Sequence, residues 1–440
     1  MESVTKRAGQ PGRAAGPSDA GEELELAVSG VAHGGWCVAR DAGGRVVFVR
    51  HALPGERVRA RVTDATASFA RAEAIEILHA SPDRVAPRCP YAHPGGCGGC
   101  DWQHANLAAQ RRLKAQVIKE QLRRIARLDR DVTVEPVPGD QDGLGWRTRV
   151  KFSVGPDGTA GLLAHRSHNV IDIGDCPIAH PLVDAAEVTK RRWEATSVEV
   201  VVSPAAGERA VLLTPSDAAP GPLQQHAAGR SWRVSAGAFW QVHPGAADTL
   251  TEAVLGTLRP RPGEVALDLF CGAGLFAGAL AARVGPDGAV IGVDADRAAV
   301  RDARYNLRET PWARVYAGDV ARLLARGGWP RPRLAVLDPP RTGASRRVIE
   351  RLLTGPMATR RRPAPRPALR RVAYVSCDPA TLARDIAVFA EFGWRLDTLR
   401  AFDAFPMTHH VECVAALTPA APGPRPAGRP SPGRRPAAGS

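Results

Sequence analysis

The chain of 440 residues lacks any run long and apolar enough to span a bilayer, which removes membrane-embedded functions from consideration. Residues 1–23 lack the apolar core segment that a secretion signal needs, so a cytoplasmic protein is expected. Acid is the scarcer charge: 45 Asp and Glu stand against 59 Lys and Arg, a net charge of +14. That excess favours a polyanionic partner through phosphate neutralisation and counterion release, nucleic acid ahead of an anionic membrane. Arg far outnumbers Lys among abundant Ala, Gly and Pro, a bias that GC-rich coding also produces, so charge alone does not name the partner. Nothing points to an obligate protein partner. Eight cysteines in a reducing compartment are poor candidates for disulfides, and any cluster among them points to metal or catalysis.

The length predicts two or three domains. Residues 1–20 and 419–440 lack apolar periodicity, which predicts disordered ends, the basic tail around Arg425, Arg429, Arg434 and Arg435 being solvated. Short alternating stretches between Gly-rich turns over residues 21–80 predict a small all-β barrel, with Cys37 in its core. Within it, residues 30–36 and the Leu53-Pro54-Gly55-Glu56-Arg57-Val58 segment resemble the TRAM domain, an OB-like RNA-binding barrel. Residues 102–128 carry apolar positions at helical intervals between basic ones, predicting an amphipathic helix with a solvated basic face. Residues 81–240 read as a β-rich central domain holding the cysteine cluster. From residue 241, and clearly from 262, apolar strands alternate with helical stretches, which predicts a Rossmann-like doubly wound α/β domain to residue 418.

Val265 to Leu269 form a buried strand that runs into Phe270-Cys271-Gly272-Ala273-Gly274, a glycine turn opening a helix. Alone this turn also suits a dinucleotide: Ala277 stands at the third spaced glycine of that fingerprint, a permitted but less decisive substitute. The next strand ends in Asp294, suited to accept hydrogen bonds from ribose hydroxyls. The following one ends at Asp319, suited to accept from an adenine amino group. Two strand-end acids about a helix apart fit an adenosine-bearing cofactor, whereas strand-end acids elsewhere simply cap helices.

Leu334-Ala335-Val336-Leu337-Asp338-Pro339-Pro340-Arg341 is another strand with a rigid turn. It lacks the aromatic residue that amino-nitrogen methyltransferases place after the paired prolines, and it lacks the cysteine that cytosine-5 enzymes place beside the proline. The next apolar strand delivers Cys377 at its end, before a helix. A thiol there can become a thiolate through the helix N-terminus or nearby cations, although a lone cysteine is ordinarily core packing.

Ser376-Cys377-Asp378-Pro379 together with Phe405-Pro406-Met407-Thr408-His409-His410-Val411-Glu412 is similar to the two signature segments of the RNA uridine-5 methyltransferase family, which includes tRNA and 23S rRNA enzymes. The resemblance spans roughly residues 21–418. It implies S-adenosylmethionine as methyl donor, Cys377 as nucleophile and Glu412 as base, with Gln241, Phe270, Asp294, Asp319 and Asp338 contacting the cofactor. Asp378 stands where the family often has Asn, and Leu275 where some members have a polar residue. Family members with both barrel and metal cluster favour 23S rRNA over tRNA as the substrate. Cytosine as the target base, and a non-catalytic RNA-binding iron-sulfur protein on the same scaffold, are the competing readings.

Cys89, Cys97 and Cys100 lie close together, and Cys176 much farther along. Four thiolates can enclose a structural zinc or an iron-sulfur cluster, and spacing alone does not separate them. The resemblance implies a [4Fe-4S] cluster, with a wider first gap here than the family's.

Overall fold

The computed structural model describes residues 20–216, 220–355 and 369–420; the terminal stretches expected to be disordered, with the four tail arginines, fall almost wholly outside them. Alternation drives the first unit. β1 (Glu23–Val31), β2 (Cys37–Arg40), β3 (Val46–Arg50), β4 (Arg57–Ala65) and β5 (Phe69–His79) close into a barrel in the order β1-β2-β3-β5-β4. Every second side chain, such as Leu26, Val28, Val58, Ala60 and Val62, points inward and is buried. Cys37 is in that core, its thiol donating to the Ala52 carbonyl at 3.1 Å.

The apolar periodicity after the cysteine segment produces α1 (Leu107–Gln121), capped by Asn106, whose side chain accepts from Ala109 N. Its basic face is not simply solvated as expected. Lys114 is fully buried and ion-paired with Asp403, while Arg112 pairs with Asp83 and Lys119 with Asp131. Then come β6 (Val134–Pro136), β7 (Arg149–Val154), β8 (Ala160–Leu163), β9 (Val170–Ile171), α2 (Ala185–Lys190), β10 (Ser197–Ser203), β11 (Glu208–Thr214), β12 (Leu223–Ala227) and β13 (Arg230–Val234). Five of these strands form an antiparallel sheet, β11-β10-β7-β8-β9, and β12 pairs with β13 as a hairpin.

The remaining elements alternate as the sequence pattern predicts: α3 (Ala246–Leu258), β14 (Val265–Leu269), α4 (Leu275–Val284), β15 (Ala289–Asp294), α5 (Arg297–Asn306), β16 (Ala313–Ala317), α6 (Val320–Arg326), β17 (Leu334–Leu337), α7 (Arg346–Thr354), β18 (Arg371–Ser376), α8 (Pro379–Glu391), β19 (Trp394–Asp403) and β20 (Glu412–Pro419). They build an eight-stranded sheet, β16-β15-β14-β17-β18-β20-β19-β6, parallel from β16 to β18 and with β20 antiparallel to both its neighbours. One apolar core lies on each face of it.

Packing cuts across residue 240. β6 adds to the catalytic sheet parallel to β19, and α1 lies against α8. The β12–β13 hairpin sends Trp232 onto α4, where a Cβ on Gly278 would stand only 2.5 Å from Trp232 Cη2. Short apolar segments find their cover in space, and the chain order of 81–240 does not restrict where that cover lies. Among the described residues, no helix is long and apolar enough to cross a membrane.

Candidate active site

The parallel strands β14, β15, β17 and β18 are neighbours in register, so their carboxyl ends share one edge of the sheet. After β14 the chain turns sharply. Phe270, Gly272 and Gly274 all have positive φ, and a Cβ on Gly274 (φ +92°) would stand 3.2 Å from the Cβ of Ala303 on α5. Asp294, half-buried at the end of β15, clamps this turn. Its Oδ2 accepts Gly272 N at 2.8 Å and its Oδ1 accepts Asp296 N at 2.8 Å. Each oxygen keeps further lone-pair capacity for a ribose hydroxyl.

Asp268, on β14 itself, is fully buried, with one oxygen accepting Ala277 N at 2.7 Å and the other without a partner. Desolvation pushes its carboxyl well above the usual range, and Asp338 and Asp294 push in the same direction. Asp338, following β17, is raised by desolvation and by Asp294 to about 7. These three carboxylates therefore form one group at the strand ends. Asp319 lies apart from them in character: it is exposed and caps α6 by accepting Arg322 N at 2.8 Å. Gln241 is buried in the segment between β13 and α3, and Phe270 is packed partly against the core.

β18 and β20 run antiparallel with Ser376 opposite Cys413, so the next step along the register sets Cys377 opposite Glu412. Burial pushes the Cys377 thiol up to about 12, with Glu412 adding to the rise, Arg341 opposing it, and Asp338 and Asp378 adding again. Glu412 is enclosed, and desolvation together with Asp338 holds its carboxyl well above the usual range against the pull of Arg341. Thiol, carboxyl and guanidinium thus meet within one electrostatic neighbourhood.

The loop leading into β20 is held from outside the sheet. Met407 adopts a left-handed φ of 67°, its N–H donating to Gln110 Oε1 at 2.7 Å and its carbonyl accepting from Asp101 N and Trp102 N. Asp101 Oδ2 accepts both His409 N, at 3.0 Å, and His409 Nδ1, at 2.7 Å. His410 lies 3.4 Å from Arg341 through Nε2 and Nη2. Asp101, Gln110 and Lys114 carry no motif of their own, and Lys114 reads in the sequence only as part of the basic face of α1.

Cys89, Cys97, Cys100 and Cys176, separated by up to 87 residues, line a single cavity with Tyr91 and Ile178. The thiols raise one another: Cys176, chiefly through burial, is pushed up to about 11, with Cys97 and Cys89 contributing. Among the described residues, no three His, Cys, Asp or Glu side chains stand close enough to grip a single metal ion.

Comparison with known proteins fits this layout. Residues 17–75 match the TRAM domain family, residues 260–324 a methyltransferase domain family, and residues 335–419 the tRNA (Uracil-5-)-methyltransferase family. An RNA methyltransferase of Streptomyces avermitilis is 48% identical, over 92% of this chain and 100% of that protein. The 23S rRNA (uracil(1939)-C(5))-methyltransferase of Halomonas elongata is 31% identical, over 94% of this chain and 91% of that one. The crystal structure of the Pyrococcus abyssi tRNA (uracil-54, C5)-methyltransferase with S-adenosyl-L-homocysteine superposes with a TM-score of 0.64, at 21% identity, over 89% of this chain and 99% of that one. Fold and strand-end site define an S-adenosylmethionine-dependent methyltransferase acting on RNA. The chain belongs to the RNA uridine-5 methyltransferase family.

Proposed function

We propose that the enzyme methylates carbon 5 of a uridine in 23S rRNA through a covalent adduct between Cys377 and uracil carbon 6. The observation that carries this reading is the β18–β20 register, which brings Cys377 and Glu412 to adjacent strand ends beside Asp338 and Arg341. Cys377 first gives up its thiol proton to solvent, which Arg341 favours against the surrounding carboxylates, and addition of the resulting thiolate to carbon 6 makes carbon 5 an enolate-type nucleophile. The methyl donor, S-adenosylmethionine, supplies an electrophilic methyl and is consumed as S-adenosylhomocysteine. Asp294 would accept from its ribose, while Gln241, Phe270, Asp319 and Asp338 complete the pocket. Once carbon 5 is methylated, Glu412 takes its proton, the C6–S bond breaks, and the thiolate leaves. A buried carboxylate with a raised pKa is a stronger base than one in water, which suits this last step. The target base has to be unstacked to reach Cys377, favouring loops over duplex.

The rRNA preference draws on the Halomonas elongata relative, which matches along nearly its whole length. The four cysteines line one cavity, and four thiolates there suit the [4Fe-4S] cluster that the family resemblance implies, with a structural zinc as the alternative. That cluster would join the segment before α1 to the central sheet and has no part in the chemistry.

Cys377→Ala should abolish transfer of labelled methyl to RNA, and retention of full activity would refute the nucleophile assignment. Mapping 5-methyluridine in total RNA with and without the protein should show a site lost from 23S rRNA. A loss confined to tRNA would replace the substrate, and 5-methylcytidine as product would replace the base.

A further inference from the structure

The β1–β2 hairpin of the barrel reaches the catalytic edge. His33 Nε2 lies 2.9 Å from Asp378 Oδ2, and Asp378 directly follows Cys377 in the chain. The other oxygen of the same carboxylate accepts Thr381 N at 2.8 Å, so Asp378 caps α8 and holds the barrel at once. Burial alone would raise this carboxyl, but the hydrogen bonds from His33 and Thr381 outweigh it and hold Asp378 well below the usual range.

Two more contacts seat the hairpin. Gly35 approaches Asp101 so closely that a Cβ there would stand 2.8 Å from Asp101 Cγ. The His33 ring centroid is 6.4 Å from that of His409, which Asp101 holds. One hairpin therefore touches the loop after Cys377 and the loop before Glu412.

The charges around Cys377 give this contact chemical weight. Glu412 from β20, Asp338 from the end of β17 and Asp378 all oppose loss of the thiol proton, and Arg341 is the cation that favours it. Of these three carboxyls only Asp378 is held below the usual range, and a protonated His33 on it offsets that charge beside Cys377.

We propose that His33 is a positioning residue for methyl transfer, contributed by the RNA-binding barrel: it fixes Asp378 and neutralises its charge, and so sets the placement and readiness of Cys377. This rests on the reading of Cys377 as nucleophile. The barrel is then a structural part of the active site as well as a tether for RNA.

A double-mutant cycle tests it, with His33→Ala, Asp378→Asn and the double variant assayed for kcat and for KM toward RNA, beside Cys377→Ala. Asn keeps the shape of Asp378 and its cap on α8 while removing the charge. His33→Ala should lower kcat roughly tenfold with KM for RNA little changed, as expected when a reacting group is displaced. In the Asp378→Asn background the same change should alter kcat by less than about twofold. Equal losses in both backgrounds, or a rise in KM alone, would overturn the proposal. The His33 side chain is 38% exposed, so its removal leaves the core untouched; should His33→Ala melt early, His33→Gln carries the same comparison. Full activity in Cys377→Ala refutes the nucleophile reading instead, and is told apart by that variant alone.

Discussion

Glu412 sits enclosed at the start of β20, where loss of water pushes its carboxyl well above the ordinary range. A carboxyl whose folded pKa exceeds its unfolded one destabilises the fold once pH passes the unfolded value, about 4.3, and the penalty grows until pH reaches the folded pKa. Glu412→Gln removes that penalty while keeping the side chain's size. Thermal melts should show the variant more stable than the native enzyme at pH 8, by roughly 1 °C per kcal/mol relieved in a chain of this length, with the difference vanishing near pH 4. A lower melting temperature at pH 8 would mean that the carboxylate is stabilised by contacts beyond those described. On the proposed role of Glu412 as base, methyl transfer should fall in the same variant, because an amide cannot take the carbon 5 proton. The strand-end places of Cys377 and Glu412 followed from the apolar runs beside them, while the roles proposed for them came from the family resemblance, because a lone strand-end cysteine reads as core packing. His33 and Asp101 were not legible in the sequence, because nothing in their immediate neighbours records which loop they meet.

At the scale of elements, the buried pair of Lys114 on α1 and Asp403 at the end of β19 fastens the cysteine segment to the catalytic sheet. Lys114 Nζ also donates to the Phe405 carbonyl at 3.0 Å, which anchors the loop that precedes Glu412. Removing one partner of such a pair leaves an uncompensated buried charge. Lys114→Ala should therefore cost about 3–5 kcal/mol in chemical denaturation. A loss below about 1 kcal/mol, the range of exposed pairs, would show that this lysine is not buried in solution. Periodicity located the helix within a few residues. It could not tell which lysine turns inward, because an amphipathic pattern ranks faces by apolar content and Lys114 lies on the apolar side as a charged exception.

Across the whole molecule, Cys89, Cys97 and Cys100, from the segment between the barrel and α1, line one cavity with Cys176, which follows β9. If they hold an iron-sulfur cluster, Cys176→Ser should lower the iron content and the melting temperature of protein purified without oxygen. Native protein carrying one zinc and no iron would reverse the assignment in favour of a mononuclear site. The alternation of strands and helices from β14 to β18 followed from alternating apolar runs, as did the barrel from its period of two, while the order of those strands in the sheet did not. The attachment of α1 and β6 to the far edge of the catalytic sheet did not, since a three-residue strand such as Val134–Pro136 carries no period to read.

The sequence by itself determined the alternation of strands and helices and the strand ends that carry the glycine turn and the acids, and its resemblance to a known family gave the reaction class. Glycine turns, strand-end acids and the two signature segments are short-range features whose backbone consequences follow from the residues themselves. Only the tertiary structure decided what meets across long separations: Cys89 with Cys176, Lys114 with Asp403, and His33 with Asp378, 345 residues apart. Those meetings depend on how whole surfaces pack, and packing is set by the sum of many weak contacts that no single stretch of chain encodes.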